Sequence, residues 1–299
     1  MPPWFWSWWG CLGVAAPAPN DGVASVLSAV SSNTASRHTL GRTAKGREVV
    51  ARIYPGRAPV HRVVILAGVH GSEQGGIEVV ERIEARLSTG RPRPTVVVIP
   101  VLFPDHAARR LREPPKRPTN RNFPPPGTTW PSEARKLRDA LDRPAHPENV
   151  WLVRLIDGLQ PERIVSVHGT IRREAAGVFS DPHVWPADLP RATARSDADA
   201  ALAITVAKTI AETDPGLVMG NHLDTMPTAG WSGGVNDGVS LGRWAPHPVP
   251  DVRASVGVLT VEVPGNDRSD DLTEDKQRAR RRQLDAFADA IVRHVLDLK

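Results

Sequence analysis

The chain has 299 residues, with 38 Lys and Arg against 33 Asp and Glu and a net charge of +5, a balance and length that suit one α/β domain with a large core and a short appendage. Its single cysteine, Cys11, excludes an intrachain disulfide and leaves any metal to histidine and carboxylate ligands. The basic excess does not make a nucleic-acid site, because its densest run, Arg278 to Arg282, lies in a helical stretch with acidic neighbours and reads as a solvated face. No nucleic-acid partner is expected; a positive field that draws in carboxylates is the milder consequence.

Met1 to Asn20 carries no charge and holds Trp4, Trp6, Trp8 and Trp9. It reads either as an export signal, with Ala16-Pro17-Ala18 as a cleavage-like site but no basic start, or as a merely apolar N-terminus. Location stays open between cytoplasm and export. Prolines bound the segment before it reaches the roughly 20 apolar residues of a membrane span, so no stable span is expected. With a short helix over Val23 to Ser36, residues 1–38 form the appendage, and residues 39–299 the main domain.

From Thr39 onward strand and helix patterns alternate. Arg62 to Ala67 (RVVILA) and Thr95 to Val101 (TVVVIPV) are β-branched runs of strand length, and Ile77, Val80, Ile83 and Leu87 between them keep helical spacing. That is a β-α-β unit. The Pro- and Arg-rich stretch Phe103 to Thr129 is too long for a casual connection and is a candidate for function. Helices are predicted over Ser132 to Leu141 and Glu148 to Leu159, then a short strand at Arg163 to Val167 and a helix over Ala194 to Glu212. An irregular Gly/Pro-rich loop, Gly230 to Pro250, precedes a strand at Val256 to Val263 and a closing helix at Leu272 to Leu298. The alternation predicts an α/β fold, a mixed, largely parallel twisted sheet with helices on both faces.

Gly68-Val69-His70-Gly71-Ser72-Glu73 follows a strand and precedes a helix, at the carboxyl end where open α/β sheets place ligands. His70 and Glu73, three apart in a tight turn, can converge on one ion or simply cap the helix. His168, closing Ile164 to Gly169 in the same setting, offers a third ligand, and two His with one Glu make a set that holds catalytic zinc. Glu262, near the end of the last strand, faces water on an edge strand or else a polar site, since a lone buried carboxylate is costly. In the long loop, Asn120-Arg121-Asn122 offers a planar guanidinium fork and an adjacent amide suited to a carboxylate, unless it is only a solvent-facing turn.

Together these pieces resemble the zinc metallocarboxypeptidase family typified by carboxypeptidase A. The resemblance rests on Leu40-Gly41-Arg42 with Lys45-Gly46-Arg47, HGSE at 70 to 73, NRNF at 120 to 123, VHG at 167 to 169 and TVEVP at 260 to 264, in that order. It implies zinc on His70, Glu73 and His168, a substrate carboxylate on Asn120 and Arg121, and Glu262 as catalytic base. It also implies an oxyanion arginine, for which Arg112 is the choice, counted from Pro104-Asp105, with Arg109 and Arg110 as the others. The tyrosine that digestive members carry before the catalytic glutamate is absent; Gly238 to Trp244, with Ser240 as a substrate contact, is instead similar to the bacterial murein peptide amidase branch. His168 to Arg172 faintly resembles the succinylglutamate desuccinylase and aspartoacylase group. The implied activity is hydrolysis of an amide next to a free carboxylate in a peptide or muropeptide. A deacylase of N-acyl amino acids is one alternative, and an inactive peptide-binding module is another.

Overall fold

The computed structural model describes residues 22–114, 117–131, 136–171, 175–181, 193–213, 238–265 and 273–299. In chain order these form α1 (Gly22–Ser31), β1 (Ser36–Arg42), β2 (Glu48–Tyr54), β3 (Arg62–Ala67), α2 (Gln74–Leu87), β4 (Thr95–Ile99), α3 (Pro104–Ala107) and α4 (Pro147–Leu159). There follow β5 (Arg163–Thr170), β6 (Gly177–Asp181), α5 (Thr193–Thr213), α6 (Leu241–Trp244), β7 (Gly257–Pro264) and α7 (Glu274–Ile291). The apolar segment Met1 to Asn20, Arg172 and most of the expected loop before Gly238 lie outside the described residues. No described helix is long and apolar enough to cross a membrane.

The strands form one sheet in the order β1-β2-β4-β3-β5-β7-β6. Its centre, β4-β3-β5-β7, is parallel, while β2 on one side and β6 on the other join antiparallel. The parallel strands are apolar runs because both faces are covered. On one face Val63, Ile65, Val165 and Val261 pack under α2, α5 and α7. On the other Val64, Leu66, Ile164 and Val258 pack under α1 and α4. The mixed α/β architecture expected from the alternation is the one observed. In α2 the helical spacing turns Ile77, Val80, Ile83 and Leu87 inward, each such burial contributing roughly 1.5–3 kcal/mol. Val23, Val26 and Val30 of α1 enter the same core as the strands, so the described part of the N-terminal appendage packs onto the main domain.

Four local expectations differ from the structure, the first being the helix over Val23 to Ser36, which ends at Ser31, with Ser36 opening β1. The helix predicted over Ser132 to Leu141 is absent from its described part: Arg138 bridges to Pro144 and Asp142 adopts φ 58°. The cause is Asp139, whose carboxylate accepts the Leu141 and Arg143 backbone N–H groups and offers the chain a turn in place of helical bonding. Strand β5 runs on to Thr170 because its pairing with β7 continues to Pro264, so His168 lies inside a strand and not just beyond one. An additional strand, β6, was not legible in its five residues.

Candidate metal centre

Beyond β3 the backbone must turn sharply, and Gly68 supplies the turn with φ +65°; a Cβ there would also lie 2.8 Å from Val101. That brings Val69 to Glu73 across the carboxyl ends of β3 and β5. Gly76 lets α2 sit close above β5, for a Cβ at that position would lie 2.7 Å from the Val167 carbonyl oxygen. Glu73, at the start of α2, makes no capping hydrogen bond. The reading of His70 and Glu73 as a helix cap is therefore overturned.

The Glu73 carboxylate instead reaches into the gap between the strands. One oxygen lies 2.8 Å from His70 Nδ1, and the other lies 2.9 Å from His168 Nδ1 and accepts the Gly169 N–H at 3.2 Å. Each of the three residues offers one ligand atom, and those atoms lie within 4.8 Å of one another. All three residues are buried, at 6%, 3% and 3% exposure. Among the described residues this is the one group of three or more such side chains able to hold a metal. The donor set, two imidazoles and one carboxylate, is the kind that fits a catalytic zinc ion. Both imidazoles aim the same nitrogen at the centre, while their far nitrogens face Ser166 Oγ at 3.1 Å and Glu113 Oε2 at 3.5 Å.

The electrostatics agree with that chemistry. Burial alone would raise the Glu73 pKa, but His168 and His70 hold it below the usual carboxylate range. Burial opposes a charged His168, yet Glu73, and then Glu262, outweigh it and raise its pKa. Burial lowers the pKa of His70, with Glu73 offsetting only part of the effect. A metal held here would compete with protons for the two imidazole nitrogens, so its binding would depend on pH.

Glu262 stands opposite His168 in the β5–β7 register and is 6% exposed. Strand β7 lies between β5 and β6. The edge-strand alternative for Glu262 is overturned: it is buried inside the sheet, beside the metal group. Of the three candidate arginines, Arg112 reaches the site, donating from Nη1 to Glu73 Oε1 at 2.7 Å. No contact joins Arg109 or Arg110 to the metal group among the described residues.

Asn120 and Arg121 sit in a 3-10 turn, Thr119–Arg121. The turn is tied to the metal loop because Thr119 Oγ1 donates to the Val69 carbonyl at 2.7 Å. Arg121 Nη1 donates to the Asn120 carbonyl at 2.7 Å, and Asn120 Oδ1 accepts the Leu241 N–H at 3.2 Å. Ser240, one residue earlier, caps α6 by accepting the Arg243 N–H at 3.2 Å. A buried network behind the turn holds it in place. Asn122 donates to Asp139 at 2.7 Å, Arg143 Nε donates to Asp139 at 2.6 Å, and Arg143 Nη2 donates to the Arg121 carbonyl. Asn149 adds bonds to the Thr119 and Asn122 carbonyls at 2.9 and 3.0 Å. Sequence reasoning missed Glu113, Ser166, Asp139 and Arg143, none of which lies in a recognisable spacing pattern; Ser166, two before His168 on one strand face, had the nearest thing to a signal.

No protein-family model matches the chain, and no curated protein matches it. Solved structures do. A carboxypeptidase A from Helicoverpa armigera superposes with a TM-score of 0.54 at 14% identity, covering 90% of this chain and 72% of that one. A metallo-carboxypeptidase from Burkholderia cenocepacia gives 0.51 at 17% identity, covering 91% and 68%. The murein-tripeptide amidase from Escherichia coli O157 gives 0.50 at 21% identity, covering 85% and 90%. The fold is carboxypeptidase-like. At these identities the likeness is one of architecture, and function rests on the site's own chemistry.

Proposed function

We propose that this protein is a zinc-dependent hydrolase that cleaves an amide bond next to a free carboxylate, in the manner of a carboxypeptidase or murein peptide amidase. The observation that carries the reading is the convergence of His70, Glu73 and His168 at the ends of parallel strands, with Glu262 in register beside His168. The fold neighbours, named as carboxypeptidases and an amidase, support the same reaction class. Residues 39–299 are the proposed catalytic domain, and a peptide or muropeptide with a free carboxylate is the proposed substrate.

His70, Glu73 and His168 would hold the zinc. A zinc ion supplies positive charge that polarises a carbonyl and acidifies water at neutral pH. Glu262, on the neighbouring strand, serves as general base, taking the proton of the attacking water and returning it to the leaving amine. Arg112, with its side chain 58% exposed and one end anchored on Glu73, is placed to meet negative charge growing on the scissile carbonyl. Losing one such donor typically costs about 3 kcal/mol of transition-state stabilisation. Arg121 and the Asn120 amide N–H groups bind the substrate carboxylate, the Asn120 oxygen being committed to Leu241. Ser240 keeps its hydroxyl proton for the same ligand, since its oxygen only accepts in capping α6.

The deciding experiment compares kcat/KM of the zinc-loaded protein on a peptide, a muropeptide and an N-acyl amino acid, each as free acid and as amide, with and without Arg121→Ala. Amidation and Arg121→Ala should each cost on the order of 10²-fold, because misplacing the carbonyl by about 1 Å does so. The two losses should not add, since each removes half of one contact. Equal rates on acid and amide would sink this reading.

A further inference from the structure

Glu113 joins three parts of the site that no motif links. Its Oε2 lies 3.5 Å from Nε2 of His70, the ring nitrogen turned away from the metal centre. The same oxygen accepts the Thr119 N–H at 2.9 Å, at the start of the turn that carries Asn120 and Arg121. Its other oxygen lies 3.9 Å from Nε of Arg112. Thr119 closes the circuit through its hydroxyl bond to the Val69 carbonyl, and the Gly71 N–H donates to the Arg112 carbonyl at 3.2 Å.

We infer that Glu113 is a positioning residue that fixes the His70 ring for metal binding and ties the metal loop to the carboxylate-binding turn. The inference rests on the reading of His70 as a ligand. A histidine that binds through Nδ1 must carry its proton on Nε2, and a carboxylate facing Nε2 fixes both that tautomer and the ring's orientation. Glu113 faces that nitrogen and at the same time sets the first residue of the Asn120–Arg121 turn, so the metal and the substrate carboxylate share one support. Residues supporting a ligand in this way typically contribute 10–100-fold in metal affinity.

The test measures zinc affinity by competition with a chromophoric chelator, without substrate, in the full chain and in Glu113→Gln, Glu113→Ala and His70→Ala. Hydrogen exchange at Thr119 to Asn122 is followed alongside. Glu113→Gln keeps an oxygen for the Thr119 N–H but removes the charge facing His70. It should weaken zinc about 10-fold while leaving the turn's exchange and the melting temperature unchanged. Glu113→Ala should weaken zinc at least as much and also speed exchange in the turn. Glu113→Gln binding zinc within about twofold of the parent, while His70→Ala loses it, would overturn the role of Glu113 and leave the metal centre standing. Unchanged affinity in His70→Ala as well would overturn both.

Discussion

Replacing Asp139 by alanine tests whether the Thr119–Arg121 turn, the proposed carboxylate site, depends on a buried polar network. The side chain of Asp139 is fully buried and accepts four hydrogen bonds: from Leu141 N and Arg143 N at 2.9 Å each, Arg143 Nε at 2.6 Å and Asn122 Nδ2 at 2.7 Å. Alanine removes the acceptor of those four bonds and the Asp139 end of the ion pair with Arg143. At about 1 kcal/mol net for each hydrogen bond lost the sum is about 4 kcal/mol. Urea unfolding should therefore show a stability loss of about 4 kcal/mol with an unchanged m-value. Among the described residues no hydrogen bond or ion pair joins Asp139, Asn122 or Asn149 to His70, Glu73 or His168, so zinc content at saturating metal should stay at the parent level. The free-acid substrate should lose rate through KM, because Arg143 holds the Arg121 carbonyl. A stability loss under about 1 kcal/mol, or zinc lost in step with stability, would refute the reasoning.

Glu262→Gln should retain full zinc by elemental analysis and lose turnover, because the residue stands beside the ligands without being one; near-normal kcat would assign the base elsewhere. Elemental analysis should also find the metal depleted in both His70→Ala and His168→Ala, since two His and one Glu leave no spare ligand, and full occupancy in both would refute the ligand set. Burial of His146 lowers its pKa from 6.5 to about 4. Below pH 6.5 the unfolded chain takes up a proton at this residue that the folded chain refuses, so its stability contribution is complete above about pH 6.5 and is lost as pH falls toward 4. The loss is roughly 3 kcal/mol over that window, and His146→Gln should flatten it; an unchanged slope of stability against pH in the variant would refute the assignment.

The strands were legible because parallel strands covered on both faces must be continuous apolar runs, and Arg62 to Ala67 forms β3 with the very bounds its pattern implies. The clustering of His70, Glu73 and His168 was legible for a related reason. His70 and His168 each follow such an apolar run, and they meet because β3 and β5 are neighbours. The turn at Asp139 was not legible. Its local composition suits a helix, and what defeats the helix is one carboxylate whose other partners, Asn122 and Arg143, are fixed by tertiary packing. Glu262 stood between two readings for the same reason: whether a strand is internal depends on β6, whose five residues carry too little pattern to reveal it.

The two halves of the site are therefore held by different physics. Glu73, His168 and Glu262 are set by sheet register and by the close approach of α2 at Gly76, so core packing keeps them in place and they have little freedom to move. Asn120 and Arg121 lie in a long connection anchored by Phe123, which is buried and stacked on Trp244, and hydrogen bonds with Asp139, Arg143 and Asn149 hold their turn. A packed apolar lattice tolerates little change in shape, and a buried polar network tolerates a change only where every remaining member keeps a partner. Under the proposed function, substitutions that retune the choice of substrate belong in that network and in the 238–244 segment, whose Leu241 N–H donates to Asn120. Substitutions in β3, β5 or β7 act first on the metal and on stability.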